Sequence, residues 1–466
     1  MFPSTAAVTW PGASWVGALD VSTEDADTSR PHGTIRLTGA DGYARARLLV
    51  VDDGRPRGFV AADIGPEGTL DVASLDEQVR ALPPAAARHT AAPPPRPPFS
   101  VVLCTRERAA ALDVALRSLL RLDYPDFEIV VVDNAPVTTA TADTVEAIGD
   151  ARIRRIVEPR PGVSAARNLG IAQARHDWIA FVDDDVVVDR HWLSALADAT
   201  ADTDDGRPVG AISGLVPAAE LRSRTQAWFD DRVTWSKTFE PRVFDRDRPP
   251  HGVPLFPFQV GAYGTGANFA AHRSAMLDIG GFDRALGAGT RCLGGEDIDV
   301  FYRLVARGHV LRYEPGAIIW HRHRDTAPEL RAQMTGYGRG LTGWLTKLAL
   351  SPGDLRRGLA SLHRNPDRPK LRSGRPLGTR EPDARRPRAL AVDATAGGAQ
   401  ATTRVATQDL TQNTTYDTAQ DTAHDTIRDT AGMERIERRS MAGGPAAYLG
   451  ERIRLVRSGP RRADAG

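Results

Sequence analysis

Short apolar runs alternate with helical periodicity between Phe99 and Arg324. They predict an α/β protein built on a parallel-dominated sheet flanked by helices, with a small β-rich domain before it and a disordered tail after it. Phe99-Ser-Val-Val-Leu, Phe127 to Val132, Ile153 to Val157 and Trp178 to Val182 have the length and composition of buried strands. Helical segments stand between them: Leu112, Leu116, Leu119 and Leu120 recur at helical spacing, and Ser164 to Arg175 follows Gly162. The fourth run ends in Asp183-Asp184-Asp185, and open α/β sheets bind ligands outside the carboxyl ends of their strands.

At 466 residues the chain exceeds one typical core. Residues 1–81 read as a β-rich module, with alternation at Thr34-Ile-Arg-Leu and within Ala44 to Val51, and a turn at Asp52-Asp53-Gly54 leading towards Gly58-Phe-Val. The module holds no catalytic constellation, which suits a structural or docking role. Residues 82–98, ending Pro93-Pro-Pro-Arg-Pro-Pro, form a semi-rigid linker. The main domain spans 99–325.

Within the main domain, Arg222 to Pro257 is a polar, aromatic excursion carrying Trp228, Phe229, Trp235 and Phe239, read as facing an acceptor. Gly264 and Gly266 mark a close backbone approach, and Gly280-Gly-Phe-Asp marks a turn. Gly294-Gly-Glu-Asp-Ile-Asp opens a helix that Gly308 stops. Val310 to Tyr313 and Ala317 to Trp320 read as two short strands before His321-Arg-His-Arg. Residues 326–365 read as a helical extension. Residues 366–466, with their Asp417, Asp421, Asp425 and Asp429 repeat, are too poor in apolar side chains to order themselves, and are expected to be dispensable for chemistry.

Composition excludes several classes. Lys plus Arg number 60 against 59 Asp plus Glu, so no global field favours nucleic acid. The two cysteines, Cys104 and Cys292, lack metal-ligand spacing and suit a reducing cytoplasm. No secretory leader is recognised, and no apolar run is long enough for a transmembrane span. Peripheral contact with the inner face of the membrane stays open.

The chemistry starts from Asp183 and Asp185. Two apart in an extended segment, they point the same way and can share one hard cation with phosphate oxygens. Strand one is followed by Cys104-Thr-Arg-Glu-Arg rather than a phosphate-cradling glycine loop, and no P-loop is present. Phosphate charge therefore calls for a divalent ion.

The ordered motifs Thr105-Arg-Glu-Arg, Ile129-Val-Val-Val-Asp-Asn, Gly162-Val-Ser-Ala-Ala-Arg-Asn-Leu-Gly, Phe181-Val-Asp-Asp-Asp, Gly280-Gly-Phe-Asp and Gly295-Glu-Asp-Ile-Asp with Arg303 resemble family 2 glycosyltransferases of the GT-A fold. The resemblance covers about Phe99 to Arg324. It implies inverting transfer of a sugar, of the hexosyltransferase class, from a nucleotide-sugar to a hydroxyl, with Mn2+ or Mg2+. Asp133 would read the base or ribose, Thr105 and Glu107 would wall the nucleoside, and Arg167, Asp183 and Asp184 would hold the donor. Asp183 and Asp185, with His321 as a third ligand, would bind the metal; His323 is the alternative histidine. Asp297 would be the base and Glu296 would orient the acceptor or the loop.

The loop at Thr105-Arg-Glu-Arg departs from the family's usual sequence, which leaves base selectivity open. The acceptor could be a glycan, a lipid-linked or a small molecule. The competing readings are an inactive sugar-nucleotide-binding or scaffold protein and a nucleotidyltransferase. Intact Asp183, Asp185 and Asp297 disfavour the first; the Glu296-Asp297 motif disfavours the second.

Overall fold

The computed structural model describes residues 8–22, 34–86, 96–201, 206–369 and 432–457. The N-terminal part contains β1 (Ser14–Asp20), β2 (Thr34–Arg36), β3 (Arg45–Asp52), β4 (Arg55–Asp63), β5 (Thr69–Asp71) and α1 (Val72–Ala81). β3 and β4 form a hairpin around Asp53 and Gly54, both at positive φ. β1 adds in parallel, and α1 starts where the Asp71 carboxylate accepts from the Ala73 N–H. This module packs on its neighbour: Val16 and Leu49 share a buried cluster with Leu215, Ile318 and Trp320.

The main sheet uses β6 (Phe99–Thr105), β7 (Phe127–Asn134), β8 (Ile153–Glu158), β9 (Trp178–Asp183), β10 (Val186–Val188), β11 (Val209–Leu215), β12 (Arg242–Phe244), β13 (Asn268–His272) and β14 (Val310–His321). Its order is β10-β14-β11-β13-β9-β6-β7-β8, with β12 also on β14. The β9-β6-β7-β8 half is parallel throughout. β13 runs antiparallel between β9 and β11, and β14 runs parallel to β11. Register decides where the chemistry sits. Thr105 pairs with Asp133 and Cys104 with Asp183, so three strands end side by side.

Side-chain alternation makes the layers. Val101, Leu103, Ile129 and Val131 face α2 (Ala109–Leu119) and α5 (Trp192–Asp198). Val102, Val130 and Val132 face α4 (Val163–Gln173) and α8 (Glu296–Arg307). α4 lies close because Gly170 has no side chain; a Cβ there would stand 2.4 Å from Val102. α8 buries Val300, Phe301, Leu304 and Val305, each contributing about 1.5–3 kcal/mol on burial, and ends at Gly308 at φ 99°. The remaining helices are α3 (Ala140–Ile148), α6 (Arg224–Arg232), α7 (Arg273–Asp278), α9 (Ala327–Ala349), α10 (Pro352–Arg364), α11 (residues 432–441) and α12 (Gly444–Arg457).

Two expectations are corrected. Val310 to Trp320 is one strand, not two: Pro315 and Gly316 sit in a bulge, where the register jumps from Gly214–Glu314 to Leu215–Ile318. The chain beyond Arg364 is also not featureless. Residues 370–431, including the aspartate repeat, lie outside the described residues, but α11 and α12 fold and pack. Met433 is buried with Phe229, Leu330 and Met334, and Tyr448 with Leu286 and Cys292. The expected linker at Pro93 also lies outside the described residues. None of the helices among the described residues is long and apolar enough to cross a membrane.

Candidate active site

A cavity of about 910 Å3 opens at the strand ends. Its walls come from β6, the turn after β9, the Gly264–Ala267 loop, the start of α8, the end of β14 and α9.

At one end lies the acidic cluster. Candidate ligand atoms of Asp183, Asp185 and His321 all lie within 4.8 Å of one another. Asp185 is buried, with His321 Nε2 at 3.3 Å, Arg108 Nη2 at 3.1 Å and Arg324 Nη1 at 3.3 Å. Burial works against its charge, but His321, Arg108 and Arg324 together hold its carboxyl well below the usual range. Asp183 moves the other way: burial raises its pKa against the pull of Arg167. Two carboxylates and an imidazole form a donor set that suits Mn2+ or Mg2+.

His323, the alternative ligand, turns away. It is buried, 3.5 Å from Asp230 of α6 and edge-on to the Phe229 ring at 4.9 Å. Its Nδ1 lies 3.3 Å from His321 Nδ1. Asp230 is clamped from outside by Arg47 of β3. Against the cost of burial, His323 and Arg47 lower the Asp230 pKa to about 2.

Asp184 is buried yet lines the cavity beside Asp183 and Asp185. It accepts from Thr105 Oγ1 at 2.7 Å and from Arg108, and burial raises its pKa to about 7. Thr105 is thus engaged with Asp184 while also lining the cavity. Asp133 is buried at the end of β7, 3.5 Å from Arg155, with its Oδ1 lacking a hydrogen-bond partner. Its neighbour Asn134 lines the cavity, and Asn134 Oδ1 accepts from the Gly162 N–H at 2.9 Å, fixing the turn into α4. Glu107 does not line the cavity. At φ 54° it is exposed and accepts from the Val137 N–H at 2.7 Å and Thr138 Oγ1 at 2.6 Å, tying two loops together.

Across the cavity stand Glu296 and Asp297, the first residues of α8. Gly295 at φ 88° launches the helix. Asp297 Oδ2 accepts from the Gly266 N–H at 3.0 Å. Glu296 accepts from Arg167 Nη1 at 3.1 Å; burial and the adjacent Asp297 raise its pKa to about 7 despite that arginine. Arg167 is almost fully buried on α4 and reaches both ends: its Nη2 lies 2.9 Å from Asp183 and 3.2 Å from the Gly266 carbonyl oxygen.

α9 closes the side beside Asp297. Gly336 and Gly340 lie against the Leu293–Gly295 turn so tightly that a Cβ on Gly340 would stand 2.6 Å from the Gly294 carbonyl carbon. Tyr337, Leu341, Phe229 and Trp235 add an apolar wall, and Glu437 of α11 completes it. Sequence reading left Arg108, Arg324, Tyr337 and Glu437 unassigned. Arg108 and Arg324 lie within Thr105-Arg-Glu-Arg and His321-Arg-His-Arg, where an arginine among polar neighbours has no signature of its own.

Residues 100–259 match the model described as glycosyl transferase family 2. That stretch is similar to the family 2 glycosyltransferases. The chain is similar to the pre-mycofactocin glycosyltransferase of Mycobacterium tuberculosis, 30% identical over 255 residues covering 52% of this chain and 48% of that one. The chain thus spans about half the length of that relative. The succinoglycan biosynthesis protein ExoM of Rhizobium meliloti is 24% identical over 264 residues, covering 55% of this chain and 72% of that one. Among solved structures, the mannosyltransferase PcManGT from Pyrobaculum calidifontis, in complex with GDP-Man and Mn2+, aligns with a TM-score of 0.40 and 17% identity over 62% of this chain and 74% of that one.

Proposed function

We propose that the protein is an inverting glycosyltransferase that moves a sugar from a nucleoside-diphosphate-sugar to an acceptor hydroxyl, with a divalent cation held by Asp183, Asp185 and His321. One observation carries the reading: two pairs of carboxylates, Asp183/Asp185 and Glu296/Asp297, face one cavity with Arg167 reaching one member of each. The cation, when bound, neutralises charge on the departing diphosphate.

The chain's own residues do the rest. Thr105 and Asn134 border the nucleoside end, and Asp133, buried beside Asn134 at the end of β7 and outside the cavity lining, would have to be uncovered before its Oδ1 could accept from a base or ribose. Asp184 and Glu107 act on the donor indirectly, by setting the loop that carries Thr105 and Arg108. Asp297 takes the acceptor hydroxyl's proton as that oxygen bonds to the anomeric carbon and the bond to the diphosphate breaks on the opposite face. The Gly266 N–H and the helix start hold Asp297 in place. Glu296 is a positioning residue working through Arg167. The reading places the reaction in a reducing cytoplasm, consistent with unpaired Cys104 and Cys292.

The test is turnover by the full chain with Mn2+ and a panel of nucleotide-sugars, following nucleoside diphosphate release and the anomeric configuration of the product. Inversion with loss of activity on chelation supports the proposal. Retention of configuration, or release indifferent to chelator, would overturn it.

A further inference from the structure

α12 has two apolar faces. Its inner face carries Tyr448, buried against Leu286 and Cys292, and Glu451, which is turned inward at 2% side-chain exposure. Its outer face carries Leu449, Ile453 and Val456, exposed at 46%, 53% and 78%. These three recur at i, i+4 and i+7, so they form a continuous stripe along the helix. Isolated exposed leucines are ordinary on protein surfaces; a stripe opposite an already buried face is not.

The flanks of the stripe are basic. Helical geometry puts Arg452 on one side, and Arg457 with Arg454 on the other. All three are exposed. Arg454 pairs with Glu451, the helix's one carboxylate, and Arg452 lies 3.8 Å from Asp283; both acids are buried beneath the helix, so its outward surface carries guanidinium groups and no carboxylate. An apolar strip flanked by Arg452 on one side and by Arg454 and Arg457 on the other matches an anionic lipid interface, where acyl chains meet the strip and headgroup phosphates meet the guanidinium groups. A groove on another protein would have to supply acids along both rims.

We propose that the outer face of α12 docks the protein on an anionic lipid surface, peripherally and without insertion of a span. The inner face lies on α9, whose Gly336, Tyr337 and Leu341 line the cavity, so the docking helix backs the wall beside Asp297. This inference stands apart from the identity of the donor or of the reaction.

The test is co-sedimentation of the full chain with vesicles of phosphatidylcholine alone and of phosphatidylcholine mixed with phosphatidylglycerol. Retention is expected on the mixed vesicles only, with release at high salt. Ile453→Asp with Val456→Asp should weaken retention by about tenfold or more, and so should Arg452→Glu with Arg457→Glu. Arg457→Glu alone, at the exposed end of the helix and away from the Arg452–Asp283 pair, should weaken retention in part and is informative even if the double variants misfold. Thermal midpoints matching the parent confirm that both losses are local. Wild-type protein that ignores both vesicles would overturn the proposal, as would variants retained like the parent. Wild-type dimers that Ile453→Asp converts to monomers, without vesicle retention, would assign the face to a second copy of the chain instead.

Discussion

The side chains of Arg167 and Glu296 meet at 3.1 Å although 129 positions separate them in the chain. The same guanidinium holds Asp183 at 2.9 Å. A planar fork with donors on two edges can hold two carboxylates at once; a lysine ammonium on a flexible stem cannot reproduce that fork. Arg167→Lys is expected to fold but to turn over slowly, because one of the two acids loses its partner. Arg167→Ala leaves two acids crowding an empty site and is expected to cost about 3–5 kcal/mol, read from denaturant midpoints.

Asp297→Asn keeps the shape of the side chain and removes its basicity. Turnover should fall by roughly two to four orders of magnitude while nucleoside diphosphate binding stays near normal. Near-normal turnover would move the base to Glu296 first and Asp299 second.

Asp185→Ala should abolish manganese-dependent binding of a nucleoside diphosphate, measured by calorimetry. Asp184→Asn is the contrast. Its carboxylate serves Thr105 and Arg108, so the expected loss is mainly thermal stability, with metal-dependent binding reduced but present.

Glu296 sets a pH dependence. Its folded pKa, raised to about 7, lies above its unfolded value, so the folded state holds the extra proton between the two. The contribution of Glu296 to stability should therefore be fully present below the ordinary carboxylate range and be lost as pH climbs to about 7. Glu296→Gln should flatten that slope in metal-free protein and gain on the order of 1–3 kcal/mol above neutrality. Equal pH profiles for parent and variant would show that Arg167 already neutralises the site.

Gly338 of α9 lies under α11, where a Cβ would stand 2.0 Å from Ser440 Oγ and 2.3 Å from the Glu437 carbonyl oxygen. Gly338→Ala should lift α11, cost about 1–3 kcal/mol, and impair transfer more than acceptor-free hydrolysis of the donor, because Glu437 borders the wall beside Asp297. A chain ending at residue 369 should show the same bias and aggregate more, since Phe229, Leu330 and Met334 lose their cover from Met433.

Much of this was legible from residues whose pattern is local. Buried strands announce themselves as apolar runs, and Gly294-Gly295 with Gly308 brackets α8 by cap chemistry alone. Three features were not. Pro315-Gly316 reads as a break, yet a bulge lets one strand carry both. α11 and α12 sit in an Arg-rich context, and their partners, the α9 glycines and Leu286, lie about a hundred residues or more away in sequence. His321 and His323 look alike in sequence; which one joins Asp185 depends on Asp230, a residue on α6 that has no local signature.

The contact between Arg47 and Asp230 constrains how such a domain could be shuffled between proteins. Arg47 belongs to the leading β module, and Asp230 supports His323, which touches His321 beside the acidic cluster. A recombination event that joined residues 99 onward to a foreign leader would leave a buried, charged carboxylate behind a candidate metal ligand. The leading module and the candidate site are thus coupled through that one ion pair, and a graft would need a substitute cation at that spot.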